Sequence, residues 1–284
     1  MTTAAGSSRE HTTPYAGPRA DVGIIGGSGL YSLLEGEQVE VDTPFGPPSD
    51  PLTIASVGHR TVAFLPRHGR DHRFPPHLVN YRANLWALRA VGVSQVLAPC
   101  AVGSLRADQG PGTVVVPDQV VDRTWGRGHT FVDQVGPVAH VAFADPYCAT
   151  GRAVALAAGR GRGLPVVDGG TMVVVNGPRF STRAESLWHA AQGWSVVGMT
   201  GLPEASLARE LALCFTSVAL VTDLDAGLEH GDGVTHEEVL RVFAENITGV
   251  RDLLLDAVAA MPAAEADCTC RHSMDGQRLP VELP

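Results

Sequence analysis

Short apolar runs alternate with amphipathic segments along most of the chain, a pattern typical of strands and helices that follow one another. Continuous apolar runs predict buried strands at 22–25, 62–65, 96–98, 113–116, 172–175, 196–199 and 217–222. Amphipathic stretches predict helices at 77–90, 149–160, 182–192, 203–211 and 236–260. Apolar residues at helical spacing mark the buried face of the first helix, with Leu78, Tyr81, Leu85 and Leu88. The buried face of the last helix is marked in the same way by Val239, Leu240, Phe243, Ile247, Val250, Leu254 and Val258.

This order of elements predicts an α/β protein whose mostly parallel sheet is covered by helices on both faces. Residues 21–262 contain neither an internal repeat nor a linker, so we expect one domain there. Residues 1–20 are rich in Ser, Thr, Gly and Pro and predict a mobile leader. Residues 263–284 predict a tail that becomes ordered against a neighbouring subunit.

Composition narrows the classes of protein. The formal net charge of −9 argues against a nucleic-acid partner, which requires a basic face. No apolar run reaches the roughly 18 residues that span a bilayer, and the N-terminus lacks a signal-peptide pattern. We therefore expect a cytoplasmic protein with no membrane partner. The chain contains no lysine, which excludes Schiff-base chemistry and a Walker-type phosphate lysine.

Five cysteines without regular spacing predict reduced thiols. Cys268 and Cys270, followed by His272, are too few for a zinc site, so we expect no metal. A redox-active C-x-C pair is the alternative for these two residues.

A glycine-rich turn, Gly26-Gly27-Ser28-Gly29, follows the first predicted strand. A dinucleotide fingerprint requires a third glycine, but Ser32 stands at that position. An anion cradle at the end of a strand and a purely structural turn both remain open.

Further polar clusters stand where predicted strands end, which is where an open α/β sheet places its site. Arg67-His68-Gly69-Arg70 follows the second strand and offers an arginine fork and an imidazole donor to phosphate. A solvated basic loop is the alternative. The segment 100–104 predicts a turn of small residues after the strand at 96–98.

Two later clusters carry an aromatic ring and carboxylates. Phe180 and Ser181 follow the strand at 172–175, and the ring could stack on a flat ligand or pack into the core. Asp223 and Asp225 end an apolar strand, so mutual repulsion and burial should raise at least one pKa and create a general acid. A helix cap or a metal pair is the alternative interpretation of these two residues.

Together these segments resemble the methylthioadenosine phosphorylase branch of the trimeric purine nucleoside phosphorylases. The resemblance covers about residues 21–260 and rests on motifs in the family's order: Gly26-Gly27-Ser28-Gly29, Thr43-Pro44-Phe45-Gly46, Arg67-His68-Gly69-Arg70, Asn80-Tyr81-Arg82-Ala83-Asn84, Gly103-Ser104-Leu105, Gly177-Pro178-Arg179-Phe180-Ser181, Met199-Thr200 and Thr222-Asp223-Leu224-Asp225. It implies a single domain with a central mixed, mostly parallel twisted sheet flanked by helices, the nucleoside phosphorylase fold.

The family cleaves a purine nucleoside with inorganic phosphate as co-substrate and needs no metal or organic cofactor. By resemblance, phosphate is held by Ser28, Arg67, His68, Cys100, Ala101 and Thr200. The nucleoside is held by Met199, Phe180, Ser181, Asp223, Leu224, Asp225, His236, Val239, Leu240 and His140. Asp223, with Asp225 beside it, is the acid facing purine N7, and an aspartate there favours a 6-aminopurine.

Two residues depart from the family pattern. Cys100 replaces a phosphate-contacting threonine, so only its backbone contact is carried over. His236 resembles the residue that meets a 5'-hydroxyl in broader purine nucleoside phosphorylases, although Val239 and Leu240 stay apolar. The resemblance also implies a homotrimer or a dimer of trimers, with His140 entering a neighbour's pocket. A broader purine nucleoside phosphorylase and a non-catalytic nucleoside-binding protein are the alternatives.

Overall fold

The computed structural model describes residues 15–27, 29–30, 33–226, 235–263, 268–280 and 282–284, and of His236 it describes the backbone. Within these residues the strands form an 11-stranded mixed sheet, as predicted. The strands are β1 (Val22–Gly26), β2 (Glu37–Val39), β3 (Leu52–Val57), β4 (Arg60–Pro66), β5 (Gln95–Ser104), β6 (Val114–Val116), β7 (Gln119–Arg123), β8 (Val166–Asp168), β9 (Thr171–Val175), β10 (Val196–Gly198) and β11 (Cys214–Leu224).

The two longest strands form the centre of the sheet. β5 and β11 run parallel and pair along their whole length, and nearly every position on both is buried. The first half of β5 also pairs in parallel with β1, which in turn pairs in parallel with β4. The carboxyl ends of β1 and β4 therefore lie beside the middle of β5.

The last residues of β5 pair with a different part of the sheet. Gly103 and Ser104 lie opposite Val197 and Val196 of β10, which runs antiparallel to β5 and parallel to β9. Residues 100–104 are thus strand rather than the turn that we predicted, because β5 continues to bridge both halves of the sheet. The end of β10 consequently meets the middle of β5 and not its carboxyl end.

Helices cover both faces of the sheet. α1 and α4 supply buried residues to one core cluster, and α2 and α5 supply them to the other. In α5 the predicted stripe is confirmed in its central part, where Phe243, Val250, Leu254 and Val258 are buried. The helices are α1 (Tyr81–Ala90), α2 (Ala149–Gly161), α3 (Arg183–Ala191), α4 (Gly201–Glu210) and α5 (His236–Ala260).

The first helix is shorter than predicted. Asn80 caps α1, since its Oδ1 accepts from the backbone N–H of Ala83, and Pro76–Leu78 form a separate 3-10 turn. Leu78, expected on the buried face, is 62% exposed because it precedes the cap. Four strands, β2, β3, β7 and β8, were not predicted. In β2, β7 and β8 most positions are partly or fully exposed, so these strands lack the continuous apolar run that marks a buried strand.

The chain ends contact the body of the protein. In the predicted leader, Arg19 and Ala20 hydrogen-bond to the carboxyl end of α1, through the carbonyls of Ala90 and Val91. In the tail, the hydroxyl of Ser273 donates to the carbonyl of Arg209 at 2.6 Å. In the part of the chain that the structure describes, none of the helices has the length and apolar character needed to span a membrane.

Candidate functional site

A cavity lies at the second half of β5, between the ends of β4, β9 and β10 on one side and the end of β11 on the other. The residues predicted to hold phosphate that line it are Arg67, His68, Cys100, Ala101 and Thr200. The residues predicted to hold a nucleoside that line it are Phe180, Ser181, Met199, Asp223, Asp225, Val239 and Leu240. The fold therefore brings both predicted sets into one space.

Arg67 forms the floor of the cavity, and Glu204 holds it in place. Its Nε donates to Glu204 Oε1 at 2.5 Å and its Nη2 to Oε2 at 3.0 Å, while Nη1 donates to the carbonyl of Pro99. Both charged side chains are 1% exposed. A guanidinium has five N–H groups, so two remain for a ligand after these three bonds. The ion pair fixes the direction in which Arg67 presents them.

Gly27 permits the close approach of Arg67. A Cβ atom at position 27 would lie 3.0 Å from Arg67 Nη1 and 3.2 Å from the carbonyl oxygen of Pro99. A side chain there would therefore push against both the guanidinium and the backbone of β5. The glycine-rich turn thus has a structural reason at Gly27 that is tied to the cavity. Ser28, predicted to contact phosphate, lies outside the described residues.

His68 is neutral in this structure. Burial, together with the positive charge of Arg67, lowers the pKa of His68 to about 4. Its Nδ1 lies 2.7 Å from the carbonyl of Phe74, which only accepts, so Nδ1 carries the hydrogen. The remaining nitrogen, Nε2, is then an acceptor rather than the donor that we expected from the sequence. It suits a protonated phosphate oxygen.

Thr200 and β5 complete the anion corner. Thr200 stands at the start of α4, and its side chain makes no capping hydrogen bond, which leaves the hydroxyl available to a ligand. Cys100 and Ala101 contribute from the middle of β5. Burial raises the pKa of the Cys100 thiol, so this side chain is uncharged and its sulfur lies 3.8 Å from the hydroxyl of Ser217.

A β-bulge directs Asp223 into the cavity. The register between β11 and β5 shifts between Val221 and Asp223, which places Asp223 opposite Gly103. A Cβ atom on Gly103 would lie 2.9 Å from Asp223 Oδ1, so only glycine leaves room for this carboxylate. Asp225 points the same way two residues later, whereas Leu224 does not line the cavity because side chains alternate along a strand.

The two aspartates differ in their surroundings. Burial raises the pKa of Asp223 to about 6, and the negative charge of Asp225 also raises it. The hydrogen bond that Asp223 accepts from Thr222 Oγ1 at 2.8 Å acts in the opposite direction and lowers the pKa. Asp225 accepts a hydrogen bond from the hydroxyl of Ser186 in α3. Asp223 is thus a carboxyl that can carry a proton near neutral pH, and Asp225 is a fixed carboxylate beside it.

The opposite wall consists of the segments after β9 and β10. Phe180 is half-buried and lines the cavity, which favours the ligand-stacking interpretation over core burial. Arg127, which the sequence analysis missed, holds these segments by donating to the carbonyls of Asn176, Met199 and Leu202 at 2.7–2.8 Å. It fixes the backbone that carries Met199 and Thr200.

Of the remaining residues predicted to hold the nucleoside, two line the cavity. Val239 and Leu240 line the cavity from the first turn of α5. The side chain of His236 is not among the described parts, so its role stays a prediction. His140 is exposed, does not line the cavity of its own chain, and donates its backbone N–H to Gln277 Oε1. Its entry into a neighbour's pocket also stays a prediction.

Glu204 and Arg127 could not be found from local sequence signals. Glu204 follows Gly-Leu-Pro in the first turn of a helix, where a glutamate ordinarily interacts with the helix dipole and solvent. Arg127 stands between two glycines in a segment without periodicity. Each acts through partners far away in sequence.

The geometry defines a class of chemistry. An anchored arginine, a neutral histidine and a helix start form an anion corner, and a protonatable carboxyl and an aromatic ring face it within the same cavity. Such a site can hold an anionic nucleophile on one side of a flat, polar leaving group that is protonated from the other side.

Comparison with known proteins agrees with that class. The phosphorylase superfamily profile matches residues 21–259, so the chain belongs to the phosphorylase superfamily. The purine nucleoside phosphorylase of Streptomyces coelicolor is 63% identical over 275 residues, which cover 94% of this chain and 98% of that protein. The S-methyl-5'-thioadenosine phosphorylase of Mycolicibacterium smegmatis is 57% identical over 268 residues, with coverage of 93% and 99%.

A solved structure is similar as well. The methylthioadenosine phosphorylase from Schistosoma mansoni in complex with adenine superposes with a TM-score of 0.83 at 41% identity. The match covers 87% of this chain and 93% of that one. The fold expected from the sequence is thereby confirmed.

The raised pKa of Asp223 predicts a pH-dependent loss of stability. Below pH ~4 the carboxyl is protonated in both the folded and the unfolded chain, so burial costs nothing. As pH rises through about 6 the folded chain must ionise a buried group, and stability is lost. Asp223→Asn should therefore stabilise the ligand-free protein at about pH 8 relative to about pH 4.5, by on the order of 1–3 kcal/mol.

Urea unfolding of both proteins at the two pH values measures this difference. Asp108→Asn, which removes an exposed carboxylate, is the control and should change the pH dependence little. Parallel pH profiles for wild type and Asp223→Asn would show that Asp223 does not have a raised pKa.

Proposed function

We propose that the protein catalyses phosphorolysis of 5'-methylthioadenosine, which yields adenine and 5-methylthioribose 1-phosphate. The observation that carries this proposal is the presence of the Glu204-anchored Arg67 and the protonatable Asp223 in one cavity. Relatives at 55–57% identity that bear the name of this activity support it.

Phosphate is the nucleophile in this reaction. Held by the free N–H groups of Arg67, by Thr200 and by His68 Nε2, it lies beneath the anomeric carbon with its orientation fixed. Because these groups are preorganised, they position the attack and require little rearrangement when charge develops. The dianionic charge of phosphate also stabilises the oxocarbenium-like sugar at the transition state.

Asp223 is the proposed acid. As the glycosidic bond breaks, electrons flow into the purine, and a proton delivered to N7 makes adenine a neutral leaving group. With a pKa of about 6, Asp223 can carry this proton near neutral pH. A carboxyl can also accept from the 6-amino group, which is why we assign a preference for 6-aminopurines. Asp225, which accepts a hydrogen bond from Ser186, contributes a negative charge that raises the pKa of Asp223.

A second candidate function is a broader purine nucleoside phosphorylase. It is favoured by His236 at the start of α5 and by the purine nucleoside phosphorylase of Streptomyces coelicolor, which is 63% identical to this chain. A histidine that meets a 5'-hydroxyl would admit adenosine, whereas Val239 and Leu240 favour a thioether. The two functions differ only in the pocket for the 5'-substituent.

The proposed active assembly is a homotrimer, or a dimer of trimers, that needs no cofactor besides its co-substrate phosphate. Leu240 supports an assembly because it lines the cavity and is still 48% exposed in the single chain. A neighbouring subunit that brings His140 would cover this side. We place the enzyme in the cytoplasm.

A phosphate-dependent panel of methylthioadenosine, adenosine, inosine and methylthioinosine tests the proposed function. We expect methylthioadenosine to have the highest kcat/KM and both 6-oxopurines the lowest, with no base released when phosphate is omitted. Similar kcat/KM for adenosine and methylthioadenosine would favour the broader enzyme. Failure to release adenine from methylthioadenosine, with adenosine or inosine cleaved well, would overturn the proposal.

The Asp223→Asn variant in the same panel isolates the role of the acid. An amide cannot deliver a proton, so turnover of 6-aminopurine nucleosides should fall by about 100-fold or more, while 6-oxopurines become relatively favoured. An unchanged ratio between methylthioadenosine and methylthioinosine would remove Asp223 from base recognition.

Substitutions in the anion corner should weaken the binding of phosphate. Glu204→Gln keeps the shape of the side chain but weakens the hold on Arg67, and Arg67→Ala removes the guanidinium. Both should raise the KM for phosphate by about 10-fold or more, with a smaller effect on the KM for nucleoside. Arg70→Ala is the matched control, because Arg70 is exposed and pairs with Asp50. Unaltered phosphate dependence in Arg67→Ala would contradict the assignment.

A further inference from the structure

Four of the five cysteines come together at the start of β11, the opposite end of the strand from Asp223. Cys148 precedes α2, Cys214 begins β11, and Cys268 and Cys270 come from the tail. Their four sulfur atoms all lie within 4.8 Å of one another. Cys268, Cys270 and His272 are neighbours in sequence, whereas Cys148 and Cys214 are 120 and 54 residues away from Cys268 and could not be assigned to the same cluster from the sequence.

The spacing of the sulfurs fits a tetrahedral cation site. Cys268 Sγ lies 3.9 Å from Cys148 Sγ and 3.5 Å from Cys214 Sγ, and all are free thiols. Four thiolates at about 2.3 Å from a central zinc ion are separated from each other by about 3.8 Å. The two sulfur atoms of a disulfide are only about 2.05 Å apart, so these cysteines are not joined by disulfide bonds. The observed separations match the edges of the tetrahedron.

The surroundings of the cluster suit bound thiolates. Cys148, Cys214 and Cys270 are at most 4% exposed, and Cys268 is partly exposed. Cys148 is the N-cap residue of α2, and the positive charge of Arg209 acts on Cys270. A helix N-terminus and a positive charge beside the sulfurs compensate negative charge, as hydrogen-bond donors do around metal-bound thiolates.

We propose that Cys148, Cys214, Cys268 and Cys270 form a structural metal site that binds one zinc ion through four thiolates. On binding, the four thiols release their protons to solvent, four Zn–S bonds form, and no group is oxidised or reduced. With all four positions filled by protein, the ion has no open position for substrate, so its role is structural. His272 is outside this set, because the ligand atoms that come together are the sulfurs of the four cysteines alone.

Such a site would attach the tail to the body of the protein. Cys268 and Cys270 belong to the same described segment as Ser273, which bonds to Arg209, and Gln277, which accepts from the backbone of His140. A zinc ion would therefore link the tail both to β11 and to the segment that carries His140. The site is independent of the proposed reaction, because none of the four cysteines is among the residues lining the described cavity.

Metal analysis of the full-length protein tests the proposal. Protein purified under reducing conditions without chelator should contain about one equivalent of zinc per chain, and a mercurial reagent that binds thiols should release it. Cys268→Ser and Cys270→Ser should each lower the zinc content at least several-fold. Cys100→Ser is the matched control, since Cys100 is the one cysteine outside the cluster, and its zinc content should equal that of wild type.

Cobalt provides a readout that does not depend on the variants folding. Wild-type protein reconstituted with Co²⁺ alone should show the intense visible bands and the sulfur-to-metal charge-transfer absorption of a tetrahedral tetrathiolate. Removal of zinc should lower Tm, and Zn²⁺ should restore it where Mg²⁺ does not. Freshly purified protein that contains no metal and binds neither Zn²⁺ nor Co²⁺, or non-reducing peptide maps with disulfides between these cysteines, would overturn the proposal. Neither result would bear on the phosphorolysis assay.

Discussion

Arg67 is almost completely buried, and Glu204 accepts from Nε and Nη2 along one edge of its guanidinium while the carbonyl of Pro99 accepts from Nη1. This contact joins the end of β4 to β5 and to the first turn of α4. Gly27 provides the room that it needs. Removing one partner from a buried pair typically costs about 3–5 kcal/mol, since the other charge is left without compensation. The same interaction therefore stabilises the packing of three elements and orients the anion corner.

A second constraint acts at the other end of the cavity, where a buried carboxyl lowers the stability of the folded chain but can donate a proton. The bulge in β11 turns Asp223 towards the ligand space, and the missing side chain of Gly103 accommodates it. Burial then raises its pKa to about 6, which disfavours the folded state at neutral pH but leaves a group that can donate a proton. Arg127 performs the complementary task of fixing the backbone of the facing wall.

Much of this arrangement could be predicted from the sequence, because it is encoded locally. The helix at 236–260 has the predicted bounds, and the residues after strands at 67–68, 180–181 and 199–200, together with Asp223 and Asp225, do line the cavity. What could not be predicted depends on pairing between distant segments. Arg67 and Glu204 are separated by 137 residues, and nothing near either residue indicates the other. The pairing of β10 with the last residues of β5 likewise depends on the unexpected length of β5.

The acceptor role of His68 illustrates the same limit. The sequence indicates an imidazole beside an arginine, but the contact between Nδ1 and Phe74 and the burial of the ring decide which nitrogen carries the proton. The cysteine cluster is a further case, since three separate segments must fold before four sulfurs meet. In each instance the chemical property belongs to the tertiary structure rather than to the motif.

In the proposed reaction the cavity delivers phosphate, and not water, to the anomeric carbon of a 6-aminopurine nucleoside. The origin of the oxygen on that carbon can be measured by mass spectrometry of the sugar product after turnover of methylthioadenosine with unlabelled phosphate in water labelled with a heavy oxygen isotope. We expect 5-methylthioribose 1-phosphate whose oxygen on the anomeric carbon comes from phosphate and carries no label. Free methylthioribose labelled from solvent at that carbon would contradict it.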